Sequence, residues 1–343
     1  MRSVVVIGDY FTTLWPFAEE RIRELWEREG KVDVIHVPNG DETTLGEIIH
    51  KPEEVDRLMS FRVPVTLESI KTLSNLKEAV FDPKLESELS DYAEHSGIRV
   101  YRQPSVGFWG QSVAECALAL TLCALRRIPQ LHHEMSKSLE PWNYEYRAGP
   151  NGDVRGSQFC DDTRFTNGTV EGKRVRIVGA GNIGSRYASF MNMLGADVAI
   201  WDPYATDPCF HRAGARKIYH LEELVQDAEI FAPMLPLNDT TGAVRRFSST
   251  LGVVTAKHIK ALPKGCLILL ATRARICDTD AIRERVLADE LALAADVFDV
   301  EPVDLNDPLL GRHNVVHTPH IGGRTKNANI SYVDMLADQF LPR

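Results

Sequence analysis

Three side chains far apart in the 343-residue chain have the types that carbonyl reduction, or its reverse, requires. Arg273 ends the run Gly265-Cys-Leu-Ile-Leu-Leu-Ala-Thr272, and a guanidinium can grip a carboxylate through a bidentate, charge-assisted pair. His320 lies in the stretch His317-Thr-Pro-His-Ile-Gly-Gly323. An imidazole there can give a proton to a carbonyl oxygen as hydride arrives, or take it back in the reverse direction. Glu301, closing Ala295-Asp-Val-Phe-Asp-Val-Glu-Pro302, would accept from the other ring nitrogen, fixing the tautomer and favouring the protonated ring. Each residue alone has a plainer explanation. An Arg at a strand end is commonly in a surface ion pair, a Glu before Pro is commonly a loop carboxylate, and most of the eleven histidines are structural or exposed.

A hydride needs a carrier, and the segment from Arg174 to Ser185 supplies its cradle. An apolar strand runs into Gly179-x-Gly181-x-x-Gly184 and then into a helix ending at Leu194-Gly195. Gly179 permits the tight turn, Gly181 lets the backbone approach a pyrophosphate, and Gly184 lets helix and strand pack closely. A bare glycine triplet of this form is weak evidence, but the next strand ends in Asp202, 21 residues after Gly181. A carboxylate there accepts from the adenosine ribose hydroxyls and repels a 2′-phosphate, which favours NAD over NADP.

The elements that must position these groups form two alternations. Strands over 3–7, 32–37, 61–65, 77–81 and 98–101 alternate with helices near 15–29, 67–73 and 84–95, predicting a small parallel α/β domain. An Ala/Leu-rich helical stretch follows from Ser112 to Met135, free of Gly and Pro until Pro129. Residues 136–172 are polar and aromatic, with turn formers and little periodicity, and read as an extended arm or loop. The second alternation has strands over 175–178, 197–201, 230–234, 267–271 and 293–297, with helices near 221–227, 255–261 and 278–288. The tail, 326–341, reads as an amphipathic helix able to pack on either domain.

Composition narrows the class. Length argues for two domains, and 44% hydrophobic with 25% charged residues is globular. The net charge of −9 disfavours nucleic acid and acidic membranes as partners, and the pairs Arg126-Arg127 and Arg245-Arg246 read as solvated faces. Six dispersed cysteines form no zinc-spaced group, so no metal is expected and free thiols in a reducing compartment are. The N-terminal apolar run is too short for a signal-peptide core, which points to a cytoplasmic protein.

Taken together the motifs resemble the D-isomer-specific 2-hydroxyacid dehydrogenases. VAECALAL, VGAGNIG, LPLNDTTG, the strand to Arg273, DVFDVEP and TPHIGG occur in that family's order between Val113 and Gly323. The resemblance implies that Arg273 binds a 2-oxo acid through its carboxylate and carbonyl, with His320 as acid/base and Glu301 as its partner. Cofactor contacts would fall on Asn182 and Ile183 at the pyrophosphate, beside the glycines, and on Asp202 at the ribose. Further contacts are implied for Leu235, Pro236 and Thr241 along the adenosine side, and for Ala271, Thr272, Arg273, Asp296 and Gly323 near the nicotinamide. The implied fold is two doubly wound parallel-sheet α/β domains with a cleft between them. One is a Rossmann NAD-binding domain, 112–317, and the other a smaller flavodoxin-like substrate domain, 1–111 plus 318–343. Hinges near Ser112 and Thr318 and a homodimer through the NAD-binding domains are implied as well.

The sequence also departs from that family. The stretch Ala79 to Pro83 lacks the glycines that usually help hold the substrate carboxylate, Leu270-Ala271 replaces the usual Asn-Thr, and the 136–172 arm is longer. Phe108 and Trp109 would line a roomier apolar pocket, or else serve packing. The expected function is NAD(H)-dependent interconversion of a D-2-hydroxy acid and its 2-oxo acid. Formate dehydrogenases carry Gln where His320 stands, whereas phosphite oxidation uses a similar Arg, Glu and His set. The alternative of another class is an NAD(H)-sensing, corepressor-like binding protein on the same scaffold.

Overall fold

The computed structural model describes residues 1–82, 85–104, 107–156, 158–159, 161–238 and 249–340. Thr241 and the end of LPLNDTTG, Arg245-Arg246, Cys160 and Pro83 lie outside the described residues. The chain forms two compact units, 1–109 with 324–343, and 110–323.

The first unit is built on β1 (Ser3–Gly8), β2 (Val32–Val37), β3 (Arg57–Phe61), β4 (Glu78–Asp82) and β5 (Arg99–Tyr101), all parallel in the order β2-β1-β3-β4-β5. Successive residues of a strand face opposite sides, so Val4 and Val6 enter one apolar layer with Leu58, Ala79 and Ile70, while Val5 and Ile7 enter another with Ile22, Met59 and Val80. The terminal helix, Lys326–Ala337, joins that second layer through Tyr332, Val333 and Leu336, so the tail belongs to this unit. Phe108 is buried there too, edge-on to Trp15 and Tyr332, which makes it core rather than a pocket wall; Trp109 stays 41% exposed.

The third strand is Arg57–Phe61, not 61–65. Its first residue explains the shift. Arg57 is 2% exposed, with its guanidinium on Glu78 (3.1 Å) and Glu29 (2.5 Å), so the charge that reads as a loop signal is paired inside the sheet.

The second unit begins with a helix, Gly110–Arg126, whose Val113, Ala114, Ala117 and Leu120 are core. The helical stretch expected to reach Met135 breaks at Arg127, which has φ +51°, and restarts as Ile128–Met135 with Pro129 in its first turn. The arm contains an antiparallel hairpin, β6 (Tyr146–Ala148) and β7 (Val154–Gly156). Then come β8 (Arg174–Val178), β9 (Asp197–Trp201), β10 (Arg216–Ile218), β11 (Ile230–Pro233), β12 (Leu267–Leu270), β13 (Ala292–Ala295) and β14 (Val315–His317). These seven strands are parallel in the order β10-β9-β8-β11-β12-β13-β14, the doubly wound arrangement of dinucleotide-binding sheets. The edge strands β10 and β14 span three residues each and escape a periodicity reading. Among the described residues no helix is long and apolar enough to cross a membrane.

Candidate active site

Parallel strands all end on one side, and every chemistry-bearing residue in the second unit sits at or just beyond those ends. Asp202 follows β9, the glycine turn follows β8, Leu235 and Pro236 follow β11, Ala271 to Arg273 follow β12, Asp296 and Glu301 follow β13, and His320 follows β14. Six adjacent strands at about 4.8 Å spacing make a row of roughly 24 Å, with the glycines towards one end and the histidine at the other.

The imidazole is held tightly. His320 Nδ1 lies 2.7 Å from Glu301 Oε2, and because a carboxylate only accepts, the proton on this bond belongs to Nδ1. Glu301 Oε1 accepts the Phe298 N–H at 2.8 Å, which fixes the acid in turn. Among the described residues Nε2 has no protein partner, and the His320 side chain is 39% exposed, so this nitrogen is free to meet a substrate. His320 has φ +55°, a left-handed backbone that a non-glycine residue adopts only when its surroundings impose it.

Asp296 imposes it. This carboxylate is 1% exposed, and Oδ1 accepts from Thr318 Oγ1 (2.6 Å) and the Ile321 N–H (2.9 Å), while Oδ2 accepts from the Gly322 N–H (2.8 Å). Expected near the nicotinamide, Asp296 spends its oxygens on the loop that carries His320. A Cβ at Gly322 would come within 2.9 Å of Asp296 Oδ2, so only glycine allows the approach. Ser112 Oγ donates to the Gly322 carbonyl at 2.6 Å, pinning the loop from the helix side. Cys116 packs nearby; burial, reinforced by the Asp296 charge, pushes its thiol up to about 11, so it stays protonated and is no nucleophile.

Arg273 is exposed and donates to the Thr272 carbonyl at 2.7 Å. Among the described residues no carboxylate lies within ion-pair distance of it, so the surface ion pair that would explain it away is missing. Thr272 and Ala271 beside it are buried, with Thr272 Oγ1 on the Pro233 carbonyl (3.2 Å).

The residues present fit a dinucleotide. Gly179 has φ +104°, and a Cβ there would meet Leu235 Cδ2 at 2.7 Å. A Cβ on Gly184 would overlap the Gly179 carbonyl oxygen, whereas one on Gly181 would meet nothing, which leaves open space before the helix Asn182–Met193. Gly181 caps that helix without a side chain, so backbone donors and the positive end of its dipole face the opening. Asp202 is held in register with this turn, Oδ2 accepting the Ala180 N–H (2.8 Å) and Oδ1 the N–H groups of Tyr204 and Ala205. Substituting Gly184→Ala would displace the helix start, and a fluorescence titration should show NADH binding weakened by about 10- to 100-fold.

The family model "D-isomer specific 2-hydroxyacid dehydrogenase, NAD binding domain" matches residues 118–322. The chain belongs to this family. NAD is accordingly its cofactor, and the matched residues all fall in the second unit. The D-3-phosphoglycerate dehydrogenase of Haemophilus influenzae is 29% identical over 254 residues, covering 73% of this chain and 54% of the relative. That of Methanocaldococcus jannaschii is 26% identical over 317 residues, covering 92% and 50%. The chain thus spans about half the length of these curated relatives. Among solved structures, a D-lactate dehydrogenase from Treponema pallidum superposes with a TM-score of 0.66 at 19% identity, covering 98% of this chain and 95% of that one. An NAD+-bound 3-phosphoglycerate dehydrogenase from Entamoeba histolytica gives 0.60 at 18% identity, covering 98% and 94%. At such identities these superpositions speak for the fold.

Sequence reasoning missed the clamp role of Asp296, its hydroxyl donor Thr318, and Ser112, which donates to the Gly322 carbonyl of the same loop. The one signal in the sequence was a polar residue inside an otherwise apolar strand end, Ala294-Ala295-Asp296-Val297, since a carboxylate there must find donors.

Proposed function

We propose that this chain is an NAD(H)-dependent oxidoreductase interconverting a D-2-hydroxy acid and its 2-oxo acid. The observation that carries the reading is the His320–Glu301 pair, which holds Nδ1 and leaves Nε2 open at the same sheet edge as Arg273, which has no carboxylate partner among the described residues. Bound NAD supplies the two-electron exchange as hydride. Arg273 grips the substrate carboxylate and sets its orientation. In reduction, doubly protonated His320 gives its Nε2 proton to the carbonyl oxygen. In oxidation, the neutral ring takes the hydroxyl proton at the same nitrogen, and Glu301 stabilises the charge that develops. The names of the relatives, D-3-phosphoglycerate dehydrogenase and D-lactate dehydrogenase, support a 2-hydroxy acid as substrate.

Loss of NADH absorbance across a panel of small, branched, aromatic and acidic 2-oxo acids tests the proposal. Substantial turnover of any member is the expected result; tight NADH binding without turnover of any would favour the sensing alternative. With an active acid in hand, Glu301→Gln should cut kcat by about 10- to 100-fold, the worth of one charge-assisted hydrogen bond.

We also propose a homodimer through the second unit. The arm leaves the large apolar side chains Leu139, Trp142, Tyr144 and Tyr146 exposed at 81, 57, 68 and 80%, and an interface between copies would cover them. Sedimentation equilibrium should give twice the chain mass for the wild type, and monomer for a Trp142→Ser, Tyr146→Ser double variant.

A further inference from the structure

Within the second unit, residues between Leu270 and Leu309 enclose a cavity of about 340 Å³. That lies at the low end of the range small ligands occupy, roughly 300–1,000 Å³. Packed interiors interdigitate and leave few voids larger than a water molecule, so a space of this size has a local cause. Its floor is apolar, made by Leu270 of β12, Leu293 of β13 and Ile282 of the helix Thr279–Leu287. The loop that follows β13 covers it with Phe298, Val303 and Leu309. Leu305, in the middle of that loop, is 92% exposed and so does not fill the space beneath.

The walls carry one cation and four carboxylates, Arg283 with Asp280, Asp299, Asp304 and Asp307. Arg283 and Asp307 satisfy each other, the guanidinium donating to both carboxylate oxygens at 2.9 and 2.8 Å. Those bonds chiefly, with the nearby Asp299 and Asp280 charges adding to them, hold the guanidinium above its ordinary value. Among the described residues no Lys, Arg or His lies within ion-pair distance of Asp280, Asp299 or Asp304. Asp299 has a long contact to the Thr279 hydroxyl, 3.4 Å, and Asp304 accepts the Asn306 N–H at 2.7 Å; both are neutral donors. Three carboxylates around an apolar floor repel one another, and a cation seated among them relieves that repulsion while its stem covers the floor.

The cavity also lies directly behind two of the candidate catalytic residues. Leu270 and Ala274 bracket the segment Ala271-Thr272-Arg273, and Phe298, Asp299 and Val300 run up to Glu301. The Phe298 N–H is the donor that fixes Glu301 Oε1, at 2.8 Å. A molecule packed against Ala274 and Phe298 therefore touches both segments from the side away from their functional groups. We propose that this cavity binds a small organic cation, a primary ammonium on an apolar stem, and that the occupant tunes the chemistry at Arg273 and Glu301 through the two segments it touches. Binding stands on the cavity alone, whereas the tuning rests on the dehydrogenase reading.

Isothermal calorimetry with 2-phenylethylammonium, neutral 2-phenylethanol and anionic 3-phenylpropanoate tests the site, because these probes share a ring and a two-carbon stem and differ in charge. The wild type should bind the cation about 10-fold more tightly than the alcohol, and the anion least. In an Asp280→Asn, Asp299→Asn double variant the two affinities should come within about 3-fold of each other; a loss common to both ligands cancels in this ratio. Val303→Trp keeps every charge and fills the space from a half-buried place in the loop. Both ligands should then weaken by about 10-fold or more, while the thermal midpoint without ligand holds or rises. Equal affinity for cation and alcohol in the wild type, or a cation affinity unchanged in both variants, overturns the site. The tuning is read separately, with a 2-oxo acid that is turned over. Saturating 2-phenylethylammonium should change kcat/KM by about 3-fold or more in the wild type and not in Val303→Trp. A bound cation that leaves kcat/KM unmoved refutes the tuning. A protein that turns over no 2-oxo acid fails the dehydrogenase reading, and the calorimetry still decides the site.

Discussion

Replacing His320 by alanine is expected to lower kcat for 2-oxo acid reduction by about 10²- to 10⁴-fold while NADH binds as before. The ring can exchange a proton at a free nitrogen, since its Nδ1 is committed to Glu301 at 2.7 Å and Nε2 has no partner among the described residues. Without it the developing alkoxide must draw its proton from water, which costs the whole acid contribution. The glycine turn and Asp202, the proposed cofactor contacts, lie several strands away along the edge, so cofactor affinity has no reason to change. Steady-state kcat with a saturating acid, together with a fluorescence titration of NADH, checks both halves. Because alanine inherits the φ of +55°, His320→Asn, which tolerates that backbone, serves as the folding control. A variant with near-wild-type kcat would sink the assignment.

The second large effect is expected at Asp296. Asp296→Ala strips acceptors from the buried Gly322 N–H, the partly buried Ile321 N–H and the Thr318 hydroxyl. An orphaned buried donor costs about 1–3 kcal/mol, so the Gly322 amide alone predicts about that much lost stability, read from urea unfolding. Activity should fall as well, because the same bonds hold His320 in its left-handed conformation. Asp296→Asn is the finer probe. Its amide keeps the volume but turns one acceptor into a donor facing an N–H, so its stability should lie between alanine and wild type. An alanine variant that unfolds at the wild-type midpoint would show that the carboxylate is no clamp.

Much of the site was legible before any coordinates. The glycine turn, the acid 21 residues beyond Gly181, and the Arg, Glu and His at strand ends are local signals: a few residues whose spacing alone dictates a turn, a strand end or a loop. The strands of both sheets were equally visible where β-branched runs reach four or five residues. The third strand was misplaced because Arg57 looks like solvent-facing charge until Glu29 and Glu78, 28 and 21 residues away, neutralise it. Phe108 was ambiguous because an aromatic residue lines a pocket or fills a core with the same chemistry, and only its neighbours Trp15 and Tyr332 decide which.

The amino-acid sequence by itself determined the family, the doubly wound α/β class and the glycine turn, and it singled out Arg273, Glu301 and His320 as candidates. These rest on interactions within a turn or a strand, where spacing along the chain is spacing in space. Only the tertiary structure decided that Asp296 braces the loop carrying His320 and that Arg273 lacks an acidic partner among the described residues. Those properties depend on burial and on partners 20 or more residues distant, which one-dimensional spacing does not encode.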